Sequence, residues 1–195
     1  MYKGDKRFFY LAWLLGITLF VELMAEVLIR LNKEFVWAYH LYTPFNYAFF
    51  ALYLRQYISS ATVKKLIIFS IVLFFAVSYS LSGFLYDFND FPGICITING
   101  LLLTAISVYY IFNINQQEGL SFLKNPNIWI VIGILFFFGG TAFFNGVYTK
   151  LMNLNKARAL NLFGIINKPL NIFLYSCINI GLVCRAAIGK FTFRQ

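Results

Sequence analysis

Six stretches of 18 to 25 residues dominated by apolar side chains constrain this chain more than any other feature: 8–29, 37–54, 66–85, 93–112, 128–148 and 160–184. A helix rises 1.5 Å per residue, so about 20 residues cross the ~30 Å hydrocarbon core of a bilayer. A helix also satisfies its own backbone donors and acceptors, which lipid cannot do. The six stretches therefore predict an all-α fold, a polytopic transmembrane helical bundle with about six membrane-spanning helices. The connections between them are short, so one integral membrane domain covering 1–195 is expected. Composition agrees, with 61% hydrophobic and only 12% charged residues, about half the charged share of an ordinary soluble domain.

Residues 1–7 followed by an apolar run have the outline of a secretory signal. The run is too long, carries Glu22 and Glu26, and has no A-x-A site after it, so it is read as a retained first helix. Lys and Arg then set the orientation. With the N-terminus inside, ten cations fall on the inner side and five on the outer, Lys168 being within a span. Both termini are expected in the cytoplasm, and the membrane expected is the bacterial cytoplasmic (inner) one. The connection after the fifth stretch fits worst, because it puts Lys150, Lys156 and Arg158 outside.

Polar residues inside apolar stretches are the candidates for function. In the last stretch Asn161, Gly164, Lys168, Asn171, Tyr175 and Asn179 fall on one stripe at about 100° per residue. An ammonium group within lipid costs several kcal/mol unless it is compensated, so Lys168 predicts a partner. Glu22 and Glu26 lie four apart on one face of the first stretch. Glu26 has Arg30 one turn ahead, the spacing of a local ion pair, and that leaves Glu22 for another helix. Lys168 precedes Pro169, a dipeptide that disfavours regular helix and predicts a break in the last span.

The second stretch holds His40, Pro44 and Asn46 within a run of aromatics. Pro44 frees a carbonyl in the preceding turn, close to His40. Its Trp37 and Tyr39 read as interface anchors, and His40 as an interfacial hydrogen-bonding residue. Ser70, Ser78, Ser80 and Ser82 in the third stretch read as packing residues whose hydroxyls bond their own helix. The fourth stretch has a small face of Thr97, Gly100, Thr104 and Ser107, and the fifth has one of Gly139, Ala142 and Gly146. Both favour close helix approach. Asn99 and Asn145 are amides poorly suited to lipid.

Depth joins these residues into one expectation. Glu22 lies eight residues inside Arg30 and Lys168 eight inside Leu160, each roughly 12 Å below the outer end of its helix. Asn46, Asn99, Asn145 and Asn171 fall at similar or shallower depth. A cavity in the outer half of the bundle is thus predicted, lined by Glu22, His40, Asn46, Asn99, Asn145, Lys168 and Asn171, for a small polar or amphipathic ligand in transport or sensing.

Other functions are constrained by what the sequence holds. The formal charge of +9 sits at segment ends rather than in a basic stripe, so nucleic acid is not an expected partner. One histidine, and three cysteines without ligand spacing, predict no metal and no cofactor. A carboxylate-based enzyme acting on lipid, with Glu22 or Glu26 as base, is the first alternative, and no nucleophile elbow accompanies it. A scaffold or accessory subunit with a structural Glu–Lys pair is the second. The expected partners are the lipid bilayer, the ligand or a lipid, and a second copy or another membrane protein.

Overall fold

The computed structural model describes residues 6–31, 37–84, 91–114, 125–154 and 156–191, with the side chains of Glu22 and Glu26 outside the described set. These residues form six α-helices: α1 Lys6–Arg30, α2 Trp37–Arg55, α3 Ala61–Phe84, α4 Gly93–Phe112, α5 Pro126–Leu154 and α6 Lys156–Phe191. Each expected stretch has become one helix. Local chemistry sets several of the ends. Asn125 Oδ1 accepts the Asn127 backbone N–H at 3.0 Å, while Pro126 takes the first helical position, where a missing N–H is harmless. Ser60 starts α3 in the same way, its Oγ accepting from Val63 N. Past α2, Arg55 Nε donates to the Lys64 carbonyl at 3.2 Å, tying the turn to the first coil of α3.

Two expectations about helix ends are corrected. Lys168–Pro169 does not divide the last span, because α6 runs unbroken for 36 residues. Proline removes one intrahelical hydrogen bond, and a long helix packed along a neighbour absorbs that loss. The connection expected at 149–159 is also shorter than foreseen. α5 continues to Leu154 and α6 begins at Lys156, so both helices outrun the ~20 residues that a membrane requires.

Among the described residues, three helices combine the length and apolar composition to cross a membrane: α3, α4 and Pro126–Asn145 of α5. α2 and α6 interrupt their apolar sequence with His40, Thr43 and Asn46, and with Asn161, Asn167, Lys168 and Asn171. Three of the six expected spans thus have this support. The outward faces match: α3 exposes Leu66, Phe69, Val72 and Leu73, and α4 exposes Ile94 and Leu101. So large an apolar surface requires cover from something other than water.

Contacts group the chain into two compact units, 1–99 and 100–195, with the division falling inside α4. In the first, α2 packs on α1 and α3. Tyr47, Phe50, Tyr53 and Leu54 of α2 and Ile67 and Phe74 of α3 are buried. The Tyr47 and Phe74 rings meet edge-on at 4.9 Å, and Tyr47 Oη shares a hydrogen bond of 2.7 Å with Ser70 Oγ.

In the second unit α5 and α6 lie antiparallel along a seam of glycines. A Cβ on Gly133 would stand 2.8 Å from Cys177 Cβ, one on Gly140 2.9 Å from Leu170 Cδ1, and one on Gly181 2.7 Å from the Pro126 carbonyl oxygen. The backbones approach this closely because no side chain intervenes. The small face of α4 meets that of α5 in the same manner, Gly100 against Ala142 and Thr104 against Gly139. Gly16 and Gly164 have nothing within 4 Å of such a Cβ. Gly16→Ala and Gly164→Ala should each raise stability by about 0.5–1 kcal/mol, by relieving the entropic penalty of a mid-helix glycine. A higher Tm of the full chain in detergent would show this.

Candidate functional site

The first unit contains a core of polar side chains where lipid-like packing calls for apolar ones. His40, Thr43 and Asn46 of α2, Ser78 and Ser82 of α3, and Cys95 and Asn99 of α4 are all buried, His40 to 1% and Asn99 to 3% exposure. Helical spacing explains how each element contributes. Ser70, Phe74, Ser78 and Ser82 follow one another at intervals of four along α3, and Cys95 and Asn99 do so along α4, so each set presents one face.

A chain of hydrogen bonds crosses three helices. Asn99 Nδ2 on α4 donates to Asn46 Oδ1 at 3.3 Å, and Asn46 Nδ2 on α2 donates to Tyr42 Oη at 2.8 Å. The Tyr42 hydroxyl lies 2.7 Å from Thr18 Oγ1 on α1. Each amide thus directs one N–H toward α1. At the other end Asn99 Oδ1 is buried and has no hydrogen-bond partner. Beside the chain, His40 Nδ1 and Ser82 Oγ meet at 2.7 Å. Ser78 stands next to the Cys95 thiol, yet its hydroxyl makes no hydrogen bond of good geometry. Other helical hydroxyls turn back to the preceding turn, as Thr43 does to Tyr39, Thr97 to Gly93 and Thr141 to Phe137. Ser78 forgoes that bond.

Of the seven expected site residues, Asn46 and Asn99 are joined by a hydrogen bond, and His40 is bonded to Ser82. His40 is buried and hydrogen-bonded. Glu22 lies outside the described side chains. Asn145, Lys168 and Asn171 belong to the second unit. Asn145 is buried with its Oδ1 unpartnered, and half-buried Asn171 donates to the Asn167 carbonyl of its own helix.

The side chain of Lys168 is exposed on α6, as is Pro169, and its expected partner Glu22 lies outside the described side chains. The cause of the exposure is the seam with α5. α6 turns Leu174, Cys177, Ile178 and Gly181 inward, and the stripe carrying Lys168 lies on a different side of the helix. Lys168→Met should accordingly change the stability of the chain by less than about 0.5 kcal/mol. Matching Tm values for variant and wild type would show it.

Sequence reasoning passed over Thr18, Tyr42, Ser78, Ser82 and Cys95. The interval of four linking Tyr42 to Asn46, and the serine series on α3, were the available signals. Comparison of the chain with protein-family models, with curated proteins and with solved structures gives no match.

Proposed function

We propose that this is a six-span protein of the bacterial cytoplasmic membrane, with both termini inside, that binds a small polar or amphipathic molecule in its N-terminal half. The observation that carries this reading is the unpartnered, fully enclosed Asn99 Oδ1 at the head of a hydrogen-bonded chain. An unsatisfied buried acceptor costs about 1–3 kcal/mol, and polar atoms left in this state in a folded protein are usually completed by water, an ion or a ligand. Recognition in the service of sensing fits better than transport. The chain ties α1, α2 and α4 to one another, so an occupant at Asn99 acts on how firmly three helices are held.

Enzymatic action on lipid is less well supported, because no nucleophile elbow accompanies Glu22 or Glu26 in the sequence. The test is extraction of small molecules from the full chain, purified in mild detergent, followed by mass spectrometry. A molecule retained by wild type and lost from both Asn99→Leu and Asn46→Leu is the expected result. Equal retention by all three would remove the reading.

A further inference from the structure

Resting on the recognition site just described, we infer that its ligand is a hydrogen-bond donor, presenting a hydroxyl or amide N–H to Asn99 Oδ1. An amide oxygen can only accept. The Asn99 amide nitrogen has a partner in Asn46 and the Asn46 amide nitrogen one in Tyr42, whereas Asn99 Oδ1 has none, so the atom left without a partner is an acceptor. An occupant that itself offers only acceptors, such as an ether, ester or carboxylate, leaves this atom unpaired.

Ser78, beside the Cys95 thiol, adds a hydroxyl that can donate or accept. The ligand therefore needs a donor first and tolerates a second polar atom. A donor at Asn99 Oδ1 also polarises the amide and strengthens its bond to Asn46, because successive hydrogen bonds in a chain reinforce one another. Binding thus tightens the link from α4 through α2 to α1.

Two isomers isolate the donor: 1-hexanol and dipropyl ether contain the same atoms, and only the alcohol has an O–H. Melting of the full chain in detergent is followed while each is titrated. The expected result is a saturable rise in Tm of about 3 °C with 1-hexanol, little with the ether, and none for either with Asn99→Leu. Tyr42→Phe, which leaves Asn99 in place, should keep the preference for alcohol. The same measurement in nanodiscs with and without a diacylglycerol separates sources. A rise with the diacylglycerol assigns the donor to a lipid hydroxyl, and a rise with 1-hexanol alone assigns it to a soluble molecule. Equal stabilisation by both isomers, lost in Asn99→Leu, overturns the donor class and leaves the site standing. No response to either isomer or to the diacylglycerol, together with equal small-molecule retention by wild type and Asn99→Leu, overturns the recognition site as well.

Discussion

Gly133→Leu is expected to lower the stability of the full chain by about 3 kcal/mol, the upper range for forcing methylenes into a close-packed contact. The substituted Cβ would meet Cys177 Cβ at 2.8 Å, with Leu174 Cδ1 and its carbonyl oxygen at 3.3 Å. Neither Cys177 nor Leu174 has room to retreat, since both are buried. Relief requires α5 and α6 to separate. That would disturb the ring contact of Phe136 with Phe173 on one side and of Phe144 with Phe163 further along the same hairpin. Gly139→Ala is the control, because its Cβ would find Thr104 Oγ1 at an ordinary 3.5 Å, and a change within about 0.5 kcal/mol is expected. Equilibrium unfolding of both variants in detergent checks the pair. Equal stabilities would mean that the glycine seam does not set the distance between the two helices.

The second large effect is a coupling. Asn46→Leu removes the acceptor of Asn99 Nδ2 and the donor to Tyr42 Oη, leaving a buried amide on α4 with neither end satisfied. A cost of about 1–3 kcal/mol follows from the desolvated groups, toward the lower end if the unfolded helices find other partners within the membrane. Asn99→Leu alone leaves Asn46 Oδ1 without its donor. In the double variant both amides are gone and two leucines face each other, so the second substitution should cost less than it does alone, by about 1 kcal/mol. Additive losses would show that the two amides do not act as one unit.

The helices were legible because their signal is one of length and composition, and backbone satisfaction in lipid leaves few alternatives. Asn46 and Asn99 were legible as amides that lipid would not welcome. Their pairing was not, because spacing within a helix identifies a face and is silent on which neighbour meets it. The serines of α3 were discounted on the ground that helical hydroxyls bond their own backbone. That holds for Ser70, which donates to the Ile67 carbonyl, and fails at Ser82, where His40 offers a buried partner. The small faces of α4 and α5 were read correctly as places of close approach, since Gly100, Ala142, Thr104 and Gly139 carry too little side chain to do otherwise.

A density map of the full chain in a lipid nanodisc, examined around Asn99, bears most directly on the polar core as a place of recognition. Non-protein density within about 3 Å of Asn99 Oδ1, with Asn46 and Tyr42 still linked toward α1, is the predicted result. An Asn99 amide turned onto protein donors, with both of its ends satisfied and nothing beside it, would contradict the account.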